Sequence, residues 1–527
     1  MDADLASIQN VRTLVETAKH AQKVYKAFSQ AQVDHVVAAM VTAGADAAEH
    51  LAVLAHEETG FGRVESKTEK NRFATTTLHQ RMQGMKTVGV IGKTAGDTIW
   101  EIATPMGVVG ALIPSTNPTS TAMYKAIIAA KARCGIVMSP HPRGKACTLE
   151  ALRVVAQAAY KAGAPEGLFG CMSEVTLEGT NALLEHPKID LILATGGSAM
   201  VKAAYSKGKP AYGVGSGNVP VYVDRSANLQ KAAADILYGT SFDWGTLCST
   251  ERSIIADQPI KAKLVAALTA EGGYMMCDSE KDQLRRMLLV NGRLNTKQVG
   301  QSPERIAQLA GFRVPAGTKA LIGEVSEVGK AEPLSMETLS PILALYTEDG
   351  WQAGCERCIQ VLHFGGIGHT LALHASNQRV IEAFALEKPS MRIVVNTVAA
   401  LGSVGYTTNL FPAMTLGPGT LGGSITSDNI SPMHLLNVKR LAFEASPVTM
   451  SSSARPAPMP RGGVRSSTPS TGWMAAVEAN LLARAGNPAV RPPKAAPEAT
   501  PRSTAEAVAG ELGEEQIQAL IRRFRKS

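Results

Sequence analysis

The sequence predicts an α/β protein with largely parallel sheets. First, short apolar runs of strand length alternate with Ala-rich helical stretches from about residue 107 onward. Second, a strand passes through Thr195-Gly-Gly-Ser198 directly into a helix, the turn expected where parallel strands meet their crossover helices. Third, the alternation resumes after Cys248, so two α/β units are the economical reading.

The elements follow in order. Residues 11–28 and 33–56 carry apolar side chains at three- and four-residue spacing and read as helices. Residues 88–102 turn β-rich. Next come a strand at 107–114, a helix at 120–133, a strand at 135–138, a helix at 147–161 and a strand at 189–194. In the second region, strands are expected near 253–256, 342–346 and 392–396. Composition changes after about 445, where 10 of the 28 prolines fall within 447–501 among Ser, Ala and Arg. Such a segment buries too little apolar surface to order itself and reads as a linker. Amphipathic stretches at 473–484 and 514–524 interrupt and end it; the second places Ile517, Leu520, Ile521 and Phe524 on one helical face.

With 527 residues, 45% of them hydrophobic and 19% charged, the chain has material for several folded domains. The net charge of +8 does not argue for nucleic acid, because residues 451–527 hold 11 Lys/Arg against 6 Asp/Glu and so carry most of it. Seven dispersed cysteines suggest reduced thiols in a reducing compartment. The first residues lack the pattern of a signal peptide, and no apolar run approaches the ~20 residues that cross a bilayer. A cytoplasmic location is the resulting expectation.

Cys248, in Ser241-Phe-Asp-Trp-Gly-Thr-Leu-Cys-Ser-Thr-Glu251, is the candidate nucleophile. It lies between a helix and a strand, in a glycine-containing loop where backbone N–H groups can polarise a thiol. Asn117, in Ile113-Pro-Ser-Thr-Asn-Pro118, sits where a strand ends and can donate to a developing oxyanion. Gly197 and Ser198 open a helix whose N-terminus suits a phosphate. Gly417-Pro-Gly-Thr-Leu-Gly422 lacks the flanking strand and helix of a dinucleotide fingerprint, and reads as a glycine-rich loop near the active-site mouth. Cys355 and Cys358 form a C-x-x-C without a second pair, and read as ordinary thiols on a helix.

The string Thr104-Pro-Met-Gly-Val-Val-Gly-Ala-Leu-Ile-Pro-Ser-Thr-Asn-Pro118 begins a longer series. Ser139-Pro-His-Pro-Arg143, Ala194-Thr-Gly-Gly197, Gly213-Val-Gly-Ser-Gly-Asn-Val-Pro220, the Cys248 loop, Glu337-Thr-Leu-Ser-Pro341 and Gly366-Ile-Gly-His-Thr370 follow in order. In this order they resemble the CoA-acylating branch of the aldehyde dehydrogenase superfamily over roughly residues 5–443. The resemblance implies a Rossmann-type cofactor domain over 1–240 and a β-hairpin oligomerisation arm at about 88–102. A catalytic domain over 241–445 would return to the core at its C-terminal end. It further implies a homodimer or homotetramer.

By motif matching, Cys248 is the nucleophile and Asn117, with the Cys248 N–H, forms the oxyanion hole. Glu337 would hold the nicotinamide ribose of NAD, or of NADP. Ser139, His141, Pro142 and Arg143 would approach the adenosine, and Gly197 with Ser198 the pyrophosphate. His369 is a candidate for substrate or CoA contact. No metal site is expected. Hydrolytic relatives carry a general-base Glu where this chain has Val214, so a Cys248 thioester should wait for the thiol of coenzyme A. A thiol acyltransferase or thioesterase without redox chemistry, and an inactive shell-associated scaffold, are the alternatives.

The tail resembles the encapsulation peptides of bacterial microcompartment cargo, with linker 446–502 and helix 503–527 docking on a shell protein. A helix packed on its own subunit, or one lying on a membrane surface, is the other reading.

Overall fold

The computed structural model describes residues 2–94 and 96–447. The linker and terminal helix expected beyond 447 lie outside them. The N-terminal helix Ala3–Tyr25 buries one stripe, including Val11, Val15, Ala18 and Tyr25. The next helix starts at a reciprocal cap between Ser29 and Gln32.

One helix was expected over 33–56, but two form, Gln30–Asp46 and Ala48–Thr59, bent by 60°. No Gly or Pro marks the joint at Ala47. The bend lets the first segment pack on Pro118–Lys131 and Lys145–Lys161 while the second packs on Val64–Arg72.

Strands β1 (Gly89–Thr94) and β2 (Ile99–Pro105) form the expected antiparallel hairpin. A five-stranded parallel sheet follows: β3 (Val108–Ile113), β4 (Gly135–Pro140), β5 (Phe169–Cys171), β6 (Leu191–Thr195) and β7 (Ala211–Val214). Their spatial order is β5-β4-β3-β6-β7, so the connections reverse direction between β3 and β6. A crevice at that reversal, outside the carboxyl ends of the strands, is where open α/β sheets bind ligands.

The second sheet contains β8 (Val219–Val223), β9 (Glu251–Asp257) and β10 (Gly273–Met275). After a short ribbon of β11 (Leu289–Val290) and β12 (Arg293–Leu294), it takes up β13 (Ala320–Glu324), β14 (Ile342–Glu348), β15 (Leu371–His374) and β16 (Ile393–Val395). All seven strands run parallel in the order β10-β13-β14-β9-β8-β15-β16. The boundary expected at 240 therefore differs from the sheet membership: β8 and the helix Leu229–Ser241 belong with the second sheet. The crossing occurs in the glycine-rich segment 213–218, and β8 is another short apolar run with nothing in its composition to assign it to either sheet.

The chain then returns to the first unit. Ala400, Val404, Ala413, Leu416, Ile430 and Leu435 join the same buried cluster as Val109 of β3. Strand β17 (Leu436–Ala442) pairs antiparallel with β2 and completes a three-stranded arm sheet. Cys355 and Cys358 are buried free thiols on the helix Gly350–Phe364. Among the described residues, no single helix is long and apolar enough to cross a membrane.

Candidate active site

A cavity of about 710 Å³ lies against the carboxyl ends of all five strands of the first sheet. Ser115 and Thr116 after β3, His141 and Pro142 after β4, Val175 and Thr176 after β5, Gly196 and Gly197 after β6 and Gly215 after β7 line it. Its far wall holds Cys248, Glu337 and Leu339 from the second unit. The volume suits a cofactor-sized ligand.

Cys248 is half-buried, between the helix Leu229–Ser241 and β9. Its loop is held from below. A turn at Phe242–Gly245 places Asp243 and Trp244 at positive φ, 47° and 49°. Such backbone is costly for non-glycine residues and persists only when its surroundings enforce it. Here Asp243 does so: one carboxylate oxygen accepts the Arg63 N–H at 2.7 Å. The other accepts Lys67 Nζ at 3.1 Å, Thr246 Oγ at 2.6 Å and Lys70 Nζ. Burial would raise this carboxyl, but the two ammonium groups outweigh it and hold Asp243 below its ordinary range.

Asn117 connects to the same network. Its Oδ1 accepts Lys70 Nζ at 2.5 Å, and its Nδ2 donates to Thr246 O at 3.3 Å and Thr116 Oγ at 3.1 Å. The amide nitrogen therefore faces the loop that carries Cys248. Burial pushes Lys70 down to about 8, with Asp243 pulling the other way.

The thiol itself is pushed up to about 12, first by desolvation and then by the Glu337 carboxylate; Arg392, its own backbone N–H and Arg252 oppose this. These surroundings keep the thiol protonated, while the backbone N–H expected to polarise it acts in the lowering direction. Cys248 is not without a carboxylate neighbour. Val214 does line the cavity as an apolar side chain, but Glu337 stands close enough to act on the sulfur. Burial raises Glu337 to about 7, against Arg252 and the Gly217 N–H, which it accepts at 3.0 Å. Gly217 admits no side chain: a Cβ there would stand 2.0 Å from the Cys248 carbonyl oxygen. This contact explains why a glycine follows Ser216 in the crossing segment.

The cavity brings Cys248, Asn117, Ser139, His141, Pro142, Gly197, Val214 and Glu337 together. Ser139 is buried with its hydroxyl bonded to Thr180 at 2.8 Å, and His141 Nδ1 accepts the Arg143 N–H at 3.1 Å. Arg143 is exposed and outside the cavity lining. Ser198 is also outside it, its Oγ accepting the Ser216 N–H at 3.4 Å. His369 is buried behind Gly217, bonded through Nδ1 to Thr370 Oγ at 3.0 Å, with no partner at Nε2 among the described residues. Burial, reinforced by Arg392, lowers it to about 3 and keeps it neutral. Lys67, Lys70, Arg252 and Arg392 are the charged neighbours that sequence reasoning missed. Lys67 and Lys70 in Ser66-Lys-Thr-Glu-Lys70 carry the pattern of a solvated helix face. Among the described residues, no cluster of His, Cys, Asp and Glu could hold a metal ion.

Two doubly covered parallel sheets, a ligand crevice at the strand ends of one and a cysteine facing it from the other define an α/β fold with a nucleotide-sized crevice and a candidate thiol nucleophile. The model of the "Aldehyde dehydrogenase family" matches residues 1–284. An acetylating aldehyde dehydrogenase from Geobacillus thermoglucosidasius is 47% identical, with a TM-score of 0.84 over 86% of this chain and 100% of that one. A propionaldehyde dehydrogenase from Rhodopseudomonas palustris, solved with bound CoA and an acylated cysteine, is 31% identical, with a TM-score of 0.75 over 82% of this chain and 97% of that one. The bifunctional aldehyde-alcohol dehydrogenase of Escherichia coli is 42% identical over 84% of this chain and 50% of its own length. The chain thus spans about half the length of that curated relative. It belongs to the aldehyde dehydrogenase family, in its acylating branch.

Proposed function

We propose that this chain is a CoA-acylating aldehyde dehydrogenase, converting aldehyde, CoA and NAD to acyl-CoA, NADH and a proton, and the reverse. The observation that carries the reading is a half-buried cysteine facing a cavity whose wall is apolar Val214 where hydrolytic relatives place their base. The cradle fits a dinucleotide: five strand ends converge on it, and neither Gly196 nor Gly197 presents a side chain toward it. When bound there, the nicotinamide accepts hydride, and Glu337 would hold its ribose. Ser139, His141 and Pro142 would meet the adenosine end, with Gly197 at the pyrophosphate.

In this reading the Cys248 sulfur attacks the aldehyde carbonyl. Asn117 Nδ2 stabilises the oxyanion, and loss of hydride leaves a thioester on Cys248. The thiol of CoA then displaces the acyl group. Because one thioester replaces another, the exchange is nearly isoenergetic and the reaction runs both ways. Bound CoA and an acylated cysteine in the propionaldehyde dehydrogenase, and the acetylating activity named for the Geobacillus enzyme, support this reading. The test is absorbance at 340 nm with aldehyde and NAD, with and without CoA. Steady NADH formation should require CoA, and without it one burst per active site should appear. Cys248→Ala should remove aldehyde oxidation and acyl-CoA reduction together. Steady CoA-independent turnover would sink the proposal, as would activity surviving in Cys248→Ala.

We also propose that the arm sheet of β1, β2 and β17 joins subunits, and that the terminal segment 503–527 docks on a microcompartment shell. Exposed Val90, Leu441 and Phe443 support the first. The Ile517, Leu520, Ile521 and Phe524 pattern behind a Pro-rich linker supports the second. Fusing 503–527 to a reporter should carry it into shells, and Glu at 520 and 521 should prevent this. Binding to anionic vesicles but not to shells would overturn the docking proposal.

A further inference from the structure

Lys67, Lys70, Lys125, Lys131 and Lys388 are buried among the described residues. All but one stand beside a carboxylate: Lys67 and Lys70 bond Asp243, Lys131 bonds Asp34 at 2.5 Å, and Lys388 lies 3.9 Å from Glu387. Lys125 is 0% exposed and has no carboxylate within ion-pair distance among the described residues. Its Nζ donates to two backbone oxygens, Leu112 O at 2.7 Å and Leu193 O at 2.9 Å. Burial lowers its ammonium well below the ordinary lysine range, and no charged neighbour opposes the shift. A buried ammonium is ordinarily paired, because leaving water without a counter-charge is strongly unfavourable.

Lys125 sits under the point where the first sheet reverses. Leu112 is the second-last residue of β3, and Leu193 lies two residues before the end of β6. These are the neighbouring strands between which the connections change direction, so the amine lies below the crevice. The helix that carries it, Pro118–Lys131, starts at the cavity wall beside Asn117, and helical side chains lean toward that end. Leu112 lines the cavity, and the chain after Leu193 runs through Ala194 and Thr195 to Gly196 and Gly197, the proposed seat of the pyrophosphate. Thr121, one turn nearer the crevice on the same helical face, is also buried, and its hydroxyl has no partner among the described residues. The cavity lining contains neither lysine nor arginine, and its one carboxylate, Glu337, stands on the far wall. Burial and Arg143 hold His141 toward its neutral form. A diphosphate in this cavity would therefore meet no cationic side chain in the lining.

We infer that Lys125 is the buried counter-charge for the pyrophosphate of the bound dinucleotide, acting from beneath the sheet without touching it. The inference rests on the dinucleotide reading proposed above. The two charges are complementary: the fold holds a cation and supplies no anion, and the ligand brings an anion to a lining that supplies no cation. Water and salt do not reach the space between β3, β6 and the helix, so the field of Lys125 extends to the crevice with little screening. Its bonds to Leu112 O and Leu193 O also join the two strand ends, which fixes the charge at the reversal before the ligand arrives.

The experiment measures binding to the full chain without aldehyde or CoA. NADH is titrated by its fluorescence, and ADP and adenosine, which differ only in the diphosphate, are titrated as competitors of NADH in metal-free buffer. Lys125→Met keeps an unbranched side chain and removes the charge. It should weaken ADP and NADH by ~10-fold or more, the loss expected when one member of a buried charge pair is removed, and leave adenosine within ~2-fold. Equal losses for ADP and adenosine would show that Lys125 only holds β3 against β6, and no loss for either would make it an inert core residue; both results overturn the inference. Lys125→Gln, which keeps a donor for one of the two carbonyls, replaces Lys125→Met if that variant does not fold. In the wild type, ADP should bind ~10-fold or more tightly than adenosine, and a smaller preference overturns the inference whether or not a variant folds. Failure of NADH itself to bind the wild type would overturn the dinucleotide reading, and this inference with it.

Discussion

The Nζ of Lys70 donates to Oδ1 of Asn117 at 2.5 Å, and this bond decides which end of the amide faces the Cys248 loop. An ammonium on the oxygen turns Nδ2 toward Thr246 O, on the loop that carries Cys248. In the proposed mechanism Lys70 would be a positioning residue that acts through Asn117. Lys70→Met should lower kcat by ~10-fold or more with little change in KM, and Asn117→Ala should lower it by ~10²-fold. The distinguishing measurement is the double variant. If Lys70 acts only by orienting Asn117, adding Lys70→Met to Asn117→Ala costs nothing further in the single-turnover NADH burst. Additive losses would mean that Lys70 supports the fold instead.

Cys248 and Glu337 provide a pH test. The thiol is pushed up to about 12, so at neutral pH it is overwhelmingly protonated, and only its small thiolate fraction reacts with an alkylating agent. Inactivation of the ligand-free enzyme by iodoacetamide should therefore climb steadily from pH 7 to 9 without a plateau, more shallowly near pH 7 where Glu337 is still ionising and approaching ~10-fold per pH unit above it. Removing the negative charge in Glu337→Gln lowers the thiol pKa, so that variant should alkylate faster at every pH in this range. A plateau near pH 8 in the wild type would contradict a thiol held protonated by burial, and slower alkylation of Glu337→Gln would contradict the Glu337 contribution.

Strands β3, β4 and β6 were legible because each is a short apolar run bounded by glycine or proline, and they form within a residue or two of their expected ends. The joint at Ala47 was not, since alanine favours helix on both sides and only the neighbouring helices impose the bend. The division near 240 failed for a related reason: Val219-Pro-Val-Tyr-Val223 carries no mark of which sheet receives it. At the site, Cys248 and Asn117 stood out in glycine- and proline-punctuated loops, whereas Glu337 came only with the family resemblance. The Lys67, Lys70 and Asp243 network was hidden, because a buried lysine and a surface lysine look alike until the carboxylate that pairs with them is located.

The last expectation concerns Glu251, three residues after Cys248 and buried at the start of β9. Its Oε1 accepts the Ala399 N–H at 2.5 Å, while Oε2 has no partner among the described residues. The carboxyl is enclosed tightly: a Cβ on Gly239 would stand 2.2 Å from Oε2, so Gly239→Ala should destabilise the protein. Burial raises Glu251 to about 8 from an ordinary 4.5, against three backbone N–H groups and Arg252. Between those values the folded state holds a proton that the unfolded chain has released. The contribution of this group is therefore fully present below about pH 4.5 and is lost progressively as pH rises through 8. Glu251→Gln keeps the acceptor for Ala399 but cannot ionise. The fall in Tm from pH 6 to pH 8.5, measured at one scan rate, should be several degrees smaller in Glu251→Gln than in the wild type. Equal slopes in the two proteins would show that Glu251 is already ionised in the folded state at pH 6.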